Sequence, residues 1–510
     1  SQERVQKKRQ ELESLSSEEL TQTLVTSMIG SRELLPVQKK TLEVLSQGTT
    51  CLSVMATGRG KSLIFQVHAA RVALLQHKMS VFVYPLRALI NDQVQSMKNT
   101  FEPLGISVEV LNGEDLFARM ANNELDIVLT TPEFFSLHAD QFAIAQNISF
   151  VVFDEAHHVG MNASEGRLAY AQMPKVLKML GSPQVLATTA TATTQAAQHI
   201  CELLSIDADH VYKDKTARTN LELKDLRGAK DRECALLSLV SDGTKTVVYV
   251  NSREQAQALT RMLRHRIPEL GHKIAFYHAG LTPQIRKNVE RAFRRGDVCC
   301  IIATSAFGEG VNISDIRQVI LYHLPFGRVA FNQMSGRAGR DGKPSVIQML
   351  FDAHDMRVNE HILSSHAPQR EALVAVYRAL TALQSKLSAP ADGSALTDED
   401  IAQMALEIDP RSKADEQIVR VALDVFAELG FISIEGFDQT RTISVNSQAS
   451  HMDLLESARY AEGLKAHAEF ESFAQWVLSA SPDELADAIT KPIVPEIGST
   501  FDGGRESSDE

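Results

Sequence analysis

Short apolar runs alternate with amphipathic stretches from about residue 50 to residue 195. The runs are rich in β-forming residues and read CLSVMAT, SVFVYP, DIVLTT, FVVFDE and QVLATTA. Helical patterns separate them, for example at 60–76 and 87–100. Apolar strands that alternate with helices are typical of a parallel sheet with helices on its faces. The pattern therefore predicts an α/β domain.

The same alternation starts again near residue 244 and ends near residue 350. Its apolar runs read KTVVYVN, KIAFYHA, VCCIIAT, QVILYHL and VIQMLF, which predicts a second α/β domain with a parallel sheet. The segment between the two domains has scattered charges and no long apolar run, so it is predicted to be a hinge. The predicted order is a helical lead or linker at 1–24, a first domain at 25–205, the hinge at 206–230 and a second domain at 231–365.

A different pattern begins after LSAPADGSALTD, a stretch at 387–398 that is rich in Pro, Gly and Ser. Apolar residues recur at helical spacing from Ile418 to Leu429, Gly430 ends the helix, and FISIEG and TRTISV follow as a two-stranded hairpin. Helices followed by such a hairpin predict a winged helix. We expect a helical and winged-helix-like module at 366–450, a helical segment at 451–493 and a disordered acidic tail at 494–510.

Composition narrows the class of protein. Of the 510 residues, 44% are hydrophobic and 23% are charged, as in soluble globular proteins, and there is neither a signal core nor an apolar run of membrane-spanning length. The five cysteines show no CxxC spacing, which predicts reduced core residues and no structural zinc. The net charge of −12 excludes a protein that coats nucleic acid by bulk electrostatics. These features predict a cytoplasmic enzyme in which any nucleic-acid track is local.

The strongest chemical signal is MATGRGKS at 55–62, between the strand CLSV and a helix. Gly58 and Gly60 allow backbone N–H groups to surround a phosphate at the helix N-terminus. Lys61 can reach the β and γ phosphates, and the Ser62 hydroxyl can hold Mg²⁺. The motif predicts an ATP and Mg²⁺ site, although Met55 replaces the first glycine of the general pattern. The alternative is a glycine turn ahead of a helix.

A second signal is FVVFDEAH at 150–157, a buried strand that ends in two carboxylates. Parallel sheets bind ligands at the carboxyl ends of their strands. We predict that Asp154 organises Mg²⁺ together with Ser62, and that Glu155 orients and polarises the attacking water. The alternative is a capped helix start after a core strand.

A third signal, QMSGRAGRDG at 333–342, lies in the second domain and contains Arg337 and Arg340. Two arginines in a glycine-rich segment suit a finger that reaches a γ-phosphate bound to the other domain. Hydrolysis would then depend on closure of the two domains. Taken alone, the segment is equally compatible with an exposed basic turn.

These three motifs together resemble superfamily 2 helicases, and the DEAH form with its surroundings most resembles the RecQ family. The resemblance implies two tandem RecA-like motor domains, here followed by the helical and winged-helix module. Further segments that match the family in order are 34–38, 85–93, 130–133, 190–193, 249–252, 278–280 and 303–311.

The resemblance also implies roles for single residues. Gln38 would contact the adenine, and Thr57 and Gly310 would complete the nucleotide site. His157 and Thr191 would couple that site to movement, although His157 can also be read as a satisfied histidine in the cleft. The implied nucleic-acid contacts are Arg87, Thr131, Ser252, Arg253, His278 and Thr304, which in isolation would read as packing or surface residues.

The sequence departs from the RecQ pattern at three places. The aromatic-rich loop after the DEAH box corresponds to HVGMNASEGRLAYAQM at 158–173, in which Tyr170 is the only aromatic residue. The family's four-cysteine zinc module is absent, because no cysteine follows residue 350. A leucine replaces the arginine near the start of the adenine segment. We therefore expect altered coupling and altered purine selectivity.

The resemblance implies movement from 3′ to 5′ on single-stranded DNA and unwinding of forked DNA, in repair or recombination. The alternatives are an ATP-switched DNA-binding module that regulates an attached nuclease, and an RNA helicase. The stretch at 456–495 resembles the tail of helicase modules behind RecJ-type exonucleases of bacteria, which predicts a nucleoid-associated fragment whose residues 1–30 join it to a nuclease partner. No nuclease metal cluster is evident, so no nuclease activity is expected in the chain itself.

Overall fold

The computed structural model describes residues 2–111, 113, 115–159, 168–308, 311, 313–387, 396–435, 442–446 and 453–503. The strands of the first half are β1 (Cys51–Val54), β2 (Met79–Val83), β3 (Val108–Val110), β4 (Ile127–Thr130), β5 (Ile148–Phe153), β6 (Gln184–Thr189) and β7 (Val211–Asp214). The strands of the second half are β8 (Leu221–Asp225), β9 (Thr246–Tyr249), β10 (Ile274–Tyr277), β11 (Cys300–Ala303), β12 (Gln318–Leu321) and β13 (Ser345–Met349). Three more strands follow: β14 (Ile432–Glu435), β15 (Thr442–Val445) and β16 (Ser499–Phe501).

Helices surround both sets of strands. Those before β8 are α1 (Gln2–Glu13), α2 (Ser17–Ile29), α3 (Pro36–Ser46), α4 (Lys61–Arg71), α5 (Arg87–Phe101), α6 (Asp115–Ala121), α7 (Pro132–Leu137), α8 (Ala139–Ala145), α9 (Leu168–Ala171), α10 (Met173–Met179) and α11 (Thr194–Leu204). Those after β8 are α12 (Arg232–Val240), α13 (Arg253–Arg266), α14 (Pro283–Arg295), α15 (Arg328–Ser335), α16 (His354–His366), α17 (Arg370–Leu387), α18 (Asp398–Ile408), α19 (Glu416–Glu428), α20 (Ala458–Ser479) and α21 (Pro482–Thr490).

The first sheet is parallel and has the order β16-β7-β1-β6-β5-β2-β4-β3. Every residue of β1, β2 and β4 is buried, because helices cover both faces of the sheet. The neighbours β1, β6 and β5 end side by side at the same edge. This order places the glycine-rich loop that follows β1 next to the two carboxylates that follow β5.

The second sheet is also parallel and has the order β10-β11-β9-β12-β13-β8. Its edge strand β8 alternates half-buried and exposed residues, whereas β9, β11 and β12 are buried throughout. The predicted fold class, two tandem α/β domains with parallel sheets and a helical C-terminal part, is confirmed.

The predicted hinge at 206–230 is too long. Within it, β7 belongs to the first sheet and β8 to the second, so residues 215–220 connect the two sheets. Both strands carry charged side chains, which strands at or near the edge of a sheet tolerate. Because of these charges, the hydrophobic pattern did not predict either strand.

The predicted helical lead at 1–24 is not a separate segment. Leu12, Leu20 and Leu24 are buried in the core that also contains β1 and α4. Arg9 on α1 forms a 2.9 Å ion pair with Asp126, which precedes β4. Helices α1 and α2 are therefore part of the first domain.

The predicted acidic tail at 494–510 is wrong for its first part. Residues Ser499–Phe501 form β16, which pairs in parallel with β7 at the edge of the first sheet. The edge strand β7 supplies backbone hydrogen-bonding partners for β16, which the composition of the tail cannot indicate. Phe501 also packs near Tyr212, with 6.3 Å between ring centroids. Residues 504–510 lie outside the described residues.

The C-terminal module contains α17, α18, α19 and the antiparallel hairpin of β14 and β15. The sequence predicted this hairpin after the helix stop at Gly430. Helices α20 and α21 instead pack on the second domain, where Phe470, Phe473 and Leu485 join its core.

The cysteines were predicted to be reduced core residues. All five cysteines are free and four are buried, but Cys234 is exposed, so the prediction of core positions is wrong there. Helix α12 buries Leu236 and Val240 against the sheet, so Cys234 lies on the side of the helix that faces solvent.

Among the described residues, none of the helices combines the length and the apolar character that crossing a bilayer requires.

Candidate nucleotide and nucleic-acid sites

The glycine-rich loop after β1 has the backbone of a phosphate-binding loop. Gly58 and Gly60 have φ angles of +85° and +78°, which favour glycine. A Cβ on Gly60 would lie 2.5 Å from Nε2 of Gln38, so a larger residue there would displace that side chain. Helix α4 begins at Lys61 and directs its free N–H groups at the loop. The loop therefore fits a polyphosphate.

Lys61 and the two carboxylates after β5 form a buried charged cluster. Nζ of Lys61 lies 3.0 Å from Oε1 of Glu155 and 3.8 Å from Oδ1 of Asp154. Burial raises the pKa of Glu155, but the Lys61 ammonium and His157 outweigh it and bring that pKa to about 2. Burial also raises the pKa of Asp154, and Lys61 only partly offsets this. Glu155 is therefore ionised at neutral pH.

The backbone of Glu155 is strained. Its φ of +51° lies in the left-handed region, which costs a non-glycine residue about 1–3 kcal/mol. Its N–H donates to Oδ1 of Asp154 at 2.9 Å, which stabilises the turn. The strained turn directs the Glu155 side chain toward Lys61 rather than along the strand.

A chain of hydrogen bonds connects this cluster to the end of β6. The Thr188 hydroxyl donates to Oδ1 of Asp154 at 2.8 Å. Nδ1 of His157 lies 3.0 Å from Oγ1 of Thr189, and that hydroxyl donates to the carbonyl oxygen of Thr191 at 3.0 Å. The predicted coupling residues His157 and Thr191 are thus joined through Thr189.

The two predicted arginines of the second domain have different surroundings. The Arg337 guanidinium donates to the carbonyl oxygens of Val311, at 2.9 Å, and Gly308, so it is engaged by its own domain. Arg340 lies against the first domain, where its carbonyl oxygen would be 3.4 Å from a Cβ on Gly58. Burial, and then the charge of Arg337, lower the pKa of Arg340, while Glu155 acts in the opposite direction.

The two domains enclose a cleft of about 420 Å³ between these groups, within the usual range of roughly 300–1,000 Å³ for ligand sites. The predicted residues that line it are Thr57, Gly58, Gly60, Lys61, Ser62, Asp154, Glu155, His157, Thr191, Arg337 and Arg340. Cationic side chains and a helix N-terminus suit a polyphosphate, and Ser62 with Asp154 provides hard oxygen ligands for Mg²⁺. The cleft therefore fits Mg-ATP.

Gln38 is buried beside the loop. Its Oε1 accepts the N–H of Leu35 at 2.8 Å, and its Nε2 donates to the carbonyl oxygens of Arg59 and Gly60 at 3.2 and 3.0 Å. Both polar atoms of the side chain are thus bonded to backbone groups. Gln38 braces the phosphate loop, and its contact with adenine stays a prediction.

The predicted nucleic-acid residues of the first domain lie together. Arg87 and Thr131 line a second cavity of about 380 Å³, whose walls include Leu86, Phe134 and Leu137. Thr131 also caps α7 by accepting the N–H of Phe134 at 3.3 Å. The cavity follows the carboxyl ends of β2 and β4.

The corresponding residues of the second domain follow β9, β10 and β11. Ser252 caps α13, and the Arg253 guanidinium lies beside Gly280 and His278. Thr304 follows β11, and its N–H donates to the carbonyl oxygen of Tyr277 at 3.1 Å. Each domain thus has one set of predicted nucleic-acid residues at the carboxyl ends of its strands.

Two predictions about these sites fall wholly or partly on residues that the structure does not describe. Gly310 lies outside the described residues, as does the stretch 160–167 of the loop after the DEAH box. Tyr170, the aromatic residue of that loop, lies on α9 and is buried in the core of the first domain.

Several residues at the cleft were not predicted from the sequence. Tyr84 lines it with a buried side chain, and its position just before the matched segment at 85–93 was the available signal. Arg218 also lines it and donates to the carbonyl oxygens of Ala338 and Gly339 at 2.7 and 2.6 Å. The C-terminal stretch 489–492 completes one wall. No sequence motif indicates that Arg218 or the stretch 489–492 belongs to the cleft.

Comparisons with known proteins agree with this geometry. A model of the DEAD/DEAH box helicase family matches residues 35–200, and a model of the helicase conserved C-terminal domain matches residues 230–342. The probable ATP-dependent DNA helicase RecS of Bacillus subtilis is 31% identical over 352 residues, which cover 67% of this chain and 69% of the relative.

Two further similarities are more distant. The ATP-dependent DNA helicase RecQ of Pasteurella multocida is 29% identical over 357 residues, which cover 68% of this chain and 54% of the relative. The chain therefore spans only about half of that relative's length. The crystal structure of the DUF1998 helicase MrfA bound to DNA aligns with a TM-score of 0.55 at 18% identity, over 85% of this chain and 60% of that one. At this identity the likeness shows the fold alone.

Proposed function

Because the chain belongs to the RecQ-like helicases of superfamily 2, we propose that it hydrolyses Mg-ATP to move along single-stranded DNA and unwind duplexes. One observation carries this proposal. The cleft between the two domains unites Lys61, Asp154 and Glu155 of the first domain with Arg340 of the second. A site that needs both domains ties nucleotide binding to their relative position.

Each residue has a chemical task in this proposal. Lys61 would bind the β and γ phosphates, and Ser62 and Asp154 would hold Mg²⁺, which when bound would neutralise phosphate charge. Glu155, ionised because its pKa is about 2, accepts a hydrogen bond from the attacking water and orients it. Arg340 stabilises the negative charge that develops on the γ-phosphate, in the manner of an arginine finger.

Coupling to DNA would run through the end of β6. His157 contacts Thr189, Thr189 contacts Thr191, and Oγ1 of Thr191 lies 3.5 Å from Nε2 of Gln333 in the second domain. The chain of contacts thus crosses the cleft from the Glu155 segment to the arginine segment. Loss of the γ-phosphate would be transmitted along it to the two sets of nucleic-acid residues.

The finer properties are proposed from the family. We propose movement from 3′ to 5′, little sequence preference because the grip is on phosphates, and a role in DNA repair or recombination. The winged-helix-like module would engage the duplex at a fork. A RecJ-type exonuclease would be the partner, at the nucleoid in the bacterial cytoplasm.

The test is steady-state ATP hydrolysis without nucleic acid, with single-stranded DNA and with RNA of the same length. Lys61→Ala supplies the blank. We expect strong stimulation by DNA and unwinding of duplexes with a 3′ tail but not a 5′ tail. Stimulation by RNA alone would make the protein an RNA helicase, and absence of stimulation by either polymer would leave an ATP-dependent switch.

A further inference from the structure

Residues 490–503, which we call the C-terminal strap, leave the second domain and end on the first. The strap begins where α21 ends. At this end, Nδ2 of Asn332 on α15 donates to the carbonyl oxygens of Ala488 and Lys491 at 3.0 and 3.2 Å. Helix α21 itself buries Leu485 and Ile489 in the core of the second domain. This end of the strap is therefore fixed to the second domain.

The other end of the strap is fixed to the first domain. The Lys213 ammonium donates to the carbonyl oxygens of Pro495 and Ile497 at 2.6 and 2.7 Å. Lys213 is only 2% exposed, so these carbonyl groups replace the water that its charge would otherwise need. The N–H of Glu496 donates to Oγ1 of Thr194 at 3.0 Å, and β16 extends the first sheet.

Between its ends, the strap contacts the backbone of the nucleotide site. Its residues 490–492 line the cleft. The carbonyl oxygen of Ile493 accepts the N–H of Ala192, next to Thr191, at 3.1 Å. The carbonyl oxygen of Thr490 accepts the N–H of Arg218 at 2.9 Å. Arg218 in turn holds the carbonyl groups of the segment that carries Arg337 and Arg340.

The strand that the strap joins also reaches the phosphate loop. Asp214, the last residue of β7, accepts a 2.8 Å hydrogen bond from Nε of Arg59. The Asp214 side chain is 4% exposed, and β16 pairs with β7 at this residue. The strap is thus connected to the phosphate loop, to the Thr191 segment and to the support of the arginine segment.

We propose that the strap is a positioning element of the ATP site, which holds the arginine segment near the phosphate loop before nucleotide binds. The inference rests on the proposed ATP site and adds to it a residue set outside both matched helicase regions. Residues 215–220 connect the two domains once, and the strap connects them a second time. Two connections restrict the domains to fewer arrangements, which raises the effective concentration of Arg340 at the phosphate loop.

We expect Gly498→Ala to release the strap without changing a residue of the cleft. The φ of Gly498 is +80°, and an added Cβ would overlap the Val211 carbonyl oxygen and lie 2.6 Å from the Val211 Cβ. Gly181→Ala is the matched control, because its φ is +82° and nothing lies within 4 Å of the added Cβ. Both variants place an alanine at a positive φ and so carry the same backbone cost. Only Gly498→Ala adds the steric overlap with Val211.

Binding of a fluorescent, non-hydrolysable ATP analogue is the first readout. We expect Gly498→Ala to raise its Kd about tenfold and the KM for ATP in parallel, with kcat within about twofold. Gly181→Ala should change neither constant. An unchanged Kd in Gly498→Ala, with the strap shown to be released, would overturn the positioning role and leave the strap a cover for a sheet edge.

The distance between the domains is the second readout, and it does not depend on hydrolysis. Cys234 is exposed on the second domain, and Lys178→Cys adds a labelling site on the exposed side of α10 in the first. Energy transfer between the two labels, measured without nucleotide, should show a broader distribution of interdomain distances in Gly498→Ala than in Gly181→Ala. Identical narrow distributions would overturn the inference. A released strap with no nucleotide binding in the parent protein would refute the proposed function instead.

Lys213 provides an independent variant if Gly498→Ala unfolds. Lys213→Met removes the ammonium that holds the strap and leaves no buried charge, whereas Lys213→Arg keeps donors and should restore most of the affinity. Lys215→Met is the control, because that side chain is exposed. Equal Kd values for Lys213→Met and Lys215→Met, at equal thermal stability, would contradict the proposal.

Discussion

The two halves of the nucleotide site are built in different ways. The first-domain half comes from the ends of three adjacent strands, β1, β5 and β6, and its groups already contact one another, as Lys61 does Glu155 at 3.0 Å. The second-domain half is a single segment whose arginines donate to backbone carbonyl groups of their own domain. The first half is thus set by one sheet. The second half can reach a nucleotide bound to the first domain only when the two domains are held together.

The largest effect should come from breaking the first half. Glu155→Gln removes the charge that orients water while it preserves the shape of the side chain. We expect ATP hydrolysis to fall by at least about 10³-fold, with ATP binding retained because Lys61 loses a competitor for its charge. Glu202→Gln, on the exposed face of α11, is the control. Hydrolysis near the parent rate in Glu155→Gln would remove Glu155 from the mechanism.

The next effect distinguishes the two arginines of the second half. Arg340→Ala should lower kcat about 10³-fold with little loss of thermal stability, because the Arg340 backbone lies against the phosphate loop and its charge interacts with that of Glu155. Arg337→Ala should cost less in kcat and more in stability, because it leaves the carbonyl groups of Gly308 and Val311 without their donor. Kinetics and melting curves of both variants test this order. The reverse order would make Arg337 the finger.

A smaller effect is expected where the two halves communicate. His157→Ala removes the contact with Thr189, so DNA-stimulated hydrolysis should fall about tenfold while hydrolysis without DNA changes little. Thr189→Val removes the same contact from the other side. The double variant should be no worse than Thr189→Val alone, because that variant already loses the contact with His157 together with the hydrogen bond to Thr191. Additive losses would show that the two residues act separately.

The difference between the halves also explains what the sequence could predict. Lys61, Asp154 and Glu155 stand in contiguous motifs after apolar strands, so strand ends and residue types were enough to bring them together. The partners of Lys213 lie 282 and 284 residues further along the chain, and no local pattern connects them. For the same reason, the sequence predicts residues 494–503 of the strap to be part of a disordered acidic tail. Its hydrogen-bonding partners are the Lys213 and Thr194 side chains and the backbone of the distant strand β7, which leave no mark on the composition of the strap.

The resemblance and the structure point to two different roles for Gln38. The resemblance assigns it to adenine, but in the structure its amide bonds to Leu35, Arg59 and Gly60.

The smallest predicted effect separates the two roles of Gln38. If it braces the loop, Gln38→Ala raises the KM for ATP and for GTP by the same factor, about fivefold, because the loop that binds either triphosphate loses its support. If it reads the base, ATP alone is affected and the preference for ATP disappears. Hydrolysis of both nucleotides by Gln38→Ala and by the parent protein gives the two ratios. We expect equal ratios, since the side chain cannot keep three backbone partners and also present a free amide to adenine.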